Sequence, residues 1–160
     1  MMNDEQFTRL VRRYIDTVFR VALNYLRNSA DAEDITQTVF EKLLREKKEF
    51  ETDEHVRNWL IRVAVNECKK LLRSPWRKAE PIEDYLTGVA FDNPARSELY
   101  RAVMELPKKY RIAIYLHYYE GYSTQEIAGI LRIPKNTVCS HLKRGRDLLK
   151  KELQEANDDV

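Results

Sequence analysis

Cysteine is almost absent: only Cys68 and Cys139 occur in 160 residues. They form neither a CxxC pair nor a metal-type cluster with the three histidines, so both read as reduced thiols and no zinc site or disulfide framework is expected. Four glycines and five prolines exclude collagen-like and low-complexity chains. No apolar run exceeds Ile112–Leu116, far short of the roughly 20 residues a membrane helix needs. The opening Met1-Met2-Asn3-Asp4-Glu5-Gln6 is acidic where a secretory signal is basic, so a cytoplasmic chain is expected. Catalytic equipment is also missing. His55, His117 and His141 have no nucleophile or carboxylate at a recognisable catalytic spacing, and no glycine-rich phosphate loop is present. No enzyme, cofactor, metal or small-molecule substrate is expected.

A net charge of +2 conceals an uneven distribution. Residues 1–73 carry 14 basic and 13 acidic side chains, 74–94 carry 2 and 4, and 95–160 carry 12 and 9. From Arg132 to Lys151 there are seven Lys or Arg against one acid, Asp147. A basic stripe along a helix points to nucleic acid, with a plainly solvated helix face as the alternative on charge alone.

Phe7, Leu10, Val11, Tyr14, Val18, Val21, Ala22, Tyr25 and Leu26 step by three and four, which predicts a helix over about 5–27. Asn28-Ser29 interrupts it and caps a second helix, whose first turn carries Asp31, Glu33 and Asp34 at the positive end of the helix dipole. Its predicted inner stripe is Ile35, Val39, Phe40, Leu43 and Leu44; the outer one is Asp34, Gln37, Thr38, Glu41 and Arg45. Glu46–Asp53 reads as a loop. A third helix over about 54–73 should turn Val56, Trp59, Leu60, Val63 and Leu71 inward, with Arg62, Asn66, Lys69, Lys70 and Arg73 on its other face. Ser74–Pro94, with three prolines, one glycine and no sustained period, reads as a linker.

Beyond it, Asn93 and Pro94 fit an N-cap with proline at the first helical position. Pro107 should separate a helix ending at Leu106 from another over Lys108–Glu120, rich in tyrosines read as core, and Gly121 should end that helix in a left-handed conformation. Ser123-Thr124-Gln125-Glu126 has the form of a capping box. A short helix with Ile127, Ala128 and Leu131 then leads through Arg132-Ile133-Pro134 into a last helix with Val138, Leu142 and Leu149 on one side. Two helices joined by so short a turn satisfy the requirements of a helix-turn-helix. The outward residues of the second would be Lys135, Asn136, Cys139, Ser140, Lys143, Arg144 and Asp147, with Arg146, Lys150 and Lys151 near enough for phosphates. The predicted fold class is all-α: two small helical domains, 1–73 and 95–160, joined by a flexible linker over 74–94.

The chain resembles the extracytoplasmic-function sigma factors of bacterial RNA polymerase over nearly its whole length. Ser123–Ala128 followed by Thr137–Arg146 is similar to their region 4, Asp31–Phe40 to the polymerase-binding part of region 2, and Trp59–Asn66 to the promoter-melting helix. Cys139, His141, Gly145 and Lys70 depart from the residues usual at those positions. The resemblance implies a promoter-specificity subunit in which Asp31, Asp34, Gln37, Thr38 and Glu41 meet the β′ clamp helices of core polymerase, the β flap being a further contact. It implies that Phe50, Asp53, His55, Arg62, Asn66, Lys69 and Lys70 meet the minus-10 element of promoter DNA. It also implies that Lys135, Asn136, Thr137, Cys139, Ser140, Lys143, Arg144 and Arg146 meet the minus-35 element. A stress or envelope-response regulon and an anti-sigma factor, often one that sequesters its target at the membrane, are implied in the same way. A one-component regulator with the same C-terminal reader, and a helical adaptor that binds only protein, stand as alternatives.

Overall fold

The computed structural model describes residues 2–73 and 94–158; the expected linker and the Asn93 cap lie outside them. Among the described residues every regular element is helical, and they divide into two compact units, one within residues 1–80 and one within 81–160.

In the first unit, α1 (Asp4–Leu26), α2 (Ser29–Arg45) and α3 (Asp53–Leu72) pack against one another. Each start is fixed by local chemistry. Asn3 and Gln6 make a capping box, the Asn28 side chain accepts from Asp31 N, and the Thr52 hydroxyl accepts from His55 N. Leu10, Tyr14, Val18, Val21, Ala22, Tyr25 and Leu26 are buried on α1, as the three-four spacing requires. On α2 the inner stripe holds for Ile35, Val39, Phe40 and Leu43 but not for Leu44, which is 46% exposed. The buried residue at that edge is Thr36, whose hydroxyl donates to Ala32 O at 2.7 Å and so enters the core satisfied. On α3 the core side is Val56, Leu60, Ile61, Ala64, Val65 and Cys68; Trp59, Val63 and Leu71 are only half-buried. The expectation that Trp59 is a core residue therefore fails. Packing α3 against both α1 and α2 rotates its buried stripe toward Ile61 and Val65, leaving the indole at the rim.

The second unit contains α4 (Pro94–Glu105), α5 (Lys108–Ile114), α6 (Thr124–Leu131) and α7 (Lys135–Asp158). Pro94 is the first residue of α4, and Pro107 separates α4 from α5. The expected single helix to Glu120 instead ends in one π-helical turn, Tyr115–Tyr119, in which Glu120 N donates to Tyr115 O. That turn decides which tyrosines are core. Tyr115 and Tyr122 are buried, whereas Tyr118 and Tyr119 are 54% and 41% exposed, contrary to the expectation for this stretch. Gly121 follows at φ +75°, and the Ser123–Glu126 capping box forms in both directions. Arg111, buried, donates to Leu106 O at 3.2 Å, placing its charge at the negative end of α4.

Candidate polymerase and promoter interfaces

On α2, Asp34, Gln37 and Glu41 are exposed and Thr38 and Asp31 half-buried, and Gln37 Nε2 donates to Glu41 Oε1 at 3.4 Å. Asp34, Gln37, Thr38 and Glu41 belong to the predicted outer stripe, and Asp31 lies in the first turn of the helix. Lys42, beside them, turns away: its ammonium lies 2.6 Å from Glu67 Oε1 on α3, and Lys70 reaches the same oxygen at 3.4 Å. The hydrogen bond from Lys42, aided by both positive charges, holds the Glu67 carboxyl below its ordinary range against the opposing effect of burial. The sequence reading did not find this bridge between α2 and α3, because Glu67 and Lys42 are 25 positions apart.

The loop after α2 and the first turns of α3 line an open cavity of about 390 Å³ bordered by Phe50, His55, Trp59 and Arg62, among others. Phe50 and Trp59 meet edge to face, with centroids 5.8 Å apart. Three of the expected minus-10 residues, Phe50, His55 and Arg62, are thus brought to one concave site. Asn66, Lys69 and Lys70 continue one to two turns along α3, the first two half-buried and Lys70 exposed. Asp53 faces α1 instead. Arg9 Nη1 and Nη2 donate to its two carboxylate oxygens at 2.6 and 3.2 Å, and Arg13 Nη1 donates at 2.7 Å. The hydrogen bond from Arg9 is the main reason that the Asp53 carboxyl is pulled below, and the Arg9 guanidinium pushed above, its ordinary value.

In the second unit the turn of the helix-turn-helix is made by Arg132 in the left-handed region at φ 58°, with its N–H and that of Ile133 both donating to Ala128 O. Pro134 O accepts from Thr137 N and Val138 N, starting α7. Val138, Leu142, Gly145 and Leu149 are buried on one side of α7. Lys135, Asn136, Cys139, Ser140, Lys143 and Arg144 are exposed on the other, with Thr137 half-buried between them. Such a face presents cations for phosphates and amide, hydroxyl and guanidinium groups for base edges. Arg146 is exposed but lies to the side, where Nη1 donates to the Tyr118 hydroxyl at 3.1 Å. His141 turns inward, edge to face with Tyr110 at 5.6 Å; burial, and secondarily the nearby Lys109 charge, lower its pKa. No group of His, Cys, Asp and Glu among the described residues could hold a metal ion.

Residues 10–78 match the Sigma-70 region 2 family model and residues 96–149 match that of Sigma-70, region 4. The ECF RNA polymerase sigma-E factor of Haemophilus influenzae is 32% identical over 92% of this chain and 87% of that protein. Its Escherichia coli counterpart is 31% identical over 95% and 88%. The chain belongs to the extracytoplasmic-function sigma factors. As a sigma factor it is a non-enzymatic component of transcription initiation, and the regulator and adaptor readings fall away. The RNA polymerase sigma-H factor of Pseudomonas aeruginosa is 28% identical over 92% of this sigma factor and 86% of its own length. Among solved structures, the sigma factor RpoE of Bartonella quintana, crystallised with the anti-sigma factor NepR, shares the fold at a TM-score of 0.73 and 21% identity, covering 92% and 96% of the two chains. CnrH, in complex with the cytosolic domain of CnrY, matches at 0.67 and 25% identity over 96% and 90%.

Proposed function

We propose that this sigma factor directs core RNA polymerase to its promoters through three separate surfaces. The α2 stripe, Asp31, Asp34, Gln37, Thr38 and Glu41, docks on the clamp helices of β′. The cavity of Phe50, His55 and Arg62 takes an unstacked base of the minus-10 element, while Asn66, Lys69 and Lys70 follow the backbone. Capture is needed because an unpaired base otherwise re-stacks, and a pocket beside cations supplies it. Lys135, Asn136, Thr137, Cys139, Ser140, Lys143 and Arg144 face the minus-35 element, with Arg146 at the edge of that surface. Residues 1–73 and 95–160 act as the two functional domains, 74–94 as their linker, and the β flap as the partner of the second domain. The protein works in the cytoplasm on a stress or envelope-response regulon and is held inactive by an anti-sigma factor, as the complex of RpoE with the anti-sigma factor NepR suggests by analogy.

The observation that carries this reading is the division of α7, on which Lys135, Asn136, Cys139, Ser140, Lys143 and Arg144 are exposed while Val138, Leu142 and Gly145 are buried. Run-off transcription with purified core polymerase on a promoter library tests it. Enrichment of one minus-10 and one minus-35 sequence is expected, and uniform initiation without enrichment refutes it. The polymerase surface is tested separately: Asp34→Lys with Glu41→Lys should weaken core binding by about 2–5 kcal/mol if the pairs are desolvated. The melting temperature should barely move. Unchanged affinity for core polymerase would refute the assignment of the α2 stripe.

A further inference from the structure

We propose that Asp53 is a positioning residue for promoter reading: clamped by Arg9 and Arg13, it fixes the loop from Glu46 to Thr52 against α1 and keeps the base-capture cavity in shape without itself touching DNA. The inference rests on the minus-10 reading above. Arg9 and Arg13 stand one turn apart on α1, so both guanidinium groups reach one carboxylate, and both of its oxygens are engaged at 2.6–3.2 Å. Tyr14, next to Arg13 on the buried side of α1, donates its hydroxyl to Asp53 O at 3.1 Å. Side chain and main chain of a single residue, the first of α3, are therefore held by α1.

At the start of the loop Glu46 N donates to Leu43 O and Lys48 N to Glu46 Oε1, and at its end Thr52 accepts from His55 N and Val56 N; between these anchors Lys47, Lys48, Glu49 and Glu51 are exposed. Phe50 is its one aromatic side chain, and it is a shared wall. On one side lies the cavity with His55, Trp59 and Arg62; on the other a second cavity of about 340 Å³ lies between the loop and α1, lined by Gln6, Leu10, Thr52 and Val56 among others. Space behind Phe50 gives the wall somewhere to go. Contacts at Asp53, where the loop enters α3, oppose that movement. A bare carboxylate beside promoter phosphates would repel them, and pairing with two arginines removes that conflict.

The test is selection from a promoter library randomised at the minus-10 and minus-35 elements, using polymerase reconstituted with the full sigma factor. Four forms are compared: wild type, Asp53→Asn, Arg9→Gln with Arg13→Gln, and all three substitutions together. Asp53→Asn keeps the shape of the side chain, and core binding with circular dichroism confirms that each form is folded and assembled. In both partial variants the preference for the best minus-10 base should fall about two- to fivefold, as expected for solvent-exposed pairs, while minus-35 preference stays. The combined variant should lose no more than either alone, because one clamp has been removed in each. A loss with Asp53→Asn but none with the arginine pair would make Asp53 a direct DNA contact and overturn the proposal. Unaltered preference in all three, while Arg62→Ala still abolishes it, would overturn the clamp and leave the minus-10 reading intact. If Arg62→Ala and Asn66→Ala also changed nothing, the minus-10 reading would fall and the clamp with it.

Discussion

Replacing Gly145 by alanine sets two effects of known size against each other. Gly145 sits inside α7, where alanine is favoured over glycine by about 1 kcal/mol. Yet a Cβ built there would lie 2.8 Å from Ile114 Cγ1 and 3.1 Å from its Cδ1, with Tyr110 Cβ at 3.5 Å. Ile114 is only 2% exposed, and Cγ1 is not the free end of its side chain, so relief requires α5 and α7 to move apart. Overpacking of this kind costs about 1–3 kcal/mol, which outweighs the propensity gain and predicts a net loss of about 1 kcal/mol. The assay is hydrogen exchange of the full chain followed by mass spectrometry, which separates the two units. The slowest amides of α5 and α7 should lose about fivefold in protection, that free energy expressed as an equilibrium factor. Amides of α1 to α3 serve as the internal control and should not change. A double-mutant cycle with Ile114→Ala should show favourable coupling of about 1 kcal/mol, since the smaller side chain makes room for the new methyl. Increased protection in α7 for the single variant would show that the helices are not in the contact described and refute the reasoning.

Two further outcomes follow from the second unit. Arg144→Ala should cost about 1–3 kcal/mol on the preferred minus-35 sequence and little on a scrambled one, whereas Lys150→Ala should weaken both alike; equal loss on every promoter for Arg144→Ala would make the helix a nonspecific clamp. Because the folded-state pKa of His141 lies below its ordinary 6.5, the unfolded chain takes up the proton first as pH falls, so stability is lost as pH drops below about 6.5 and is unaffected above it. His141→Phe, which keeps a ring against Tyr110, should flatten that acid-side decline in the exchange protection of α7, and an unchanged pH slope would show that another group is responsible.

Local chemistry made the helices legible. A three-four apolar step on α1, the caps Asn28 and Ser123, and proline at Pro94 and Pro107 act within a few residues, so a single sequence carries them in full. The outer stripes of α2 and α7 were legible for the same reason, because a helix converts spacing into a face. What only the tertiary structure decided depends on residues far apart in the chain. Leu44 and Trp59 have the right period to be buried, but the angle at which three helices meet leaves them at the rim. Tyr118 and Tyr119 are turned outward by a π-helical turn that no periodicity announces. Asp53 looks from the sequence like a loop acid near DNA, and only the approach of α1, 44 and 40 positions earlier, commits it to Arg9 and Arg13. Gly145 likewise has no visible role in the sequence, and only the approach of Ile114 on α5, 2.8 Å from where a Cβ would stand, shows why a side chain is excluded there.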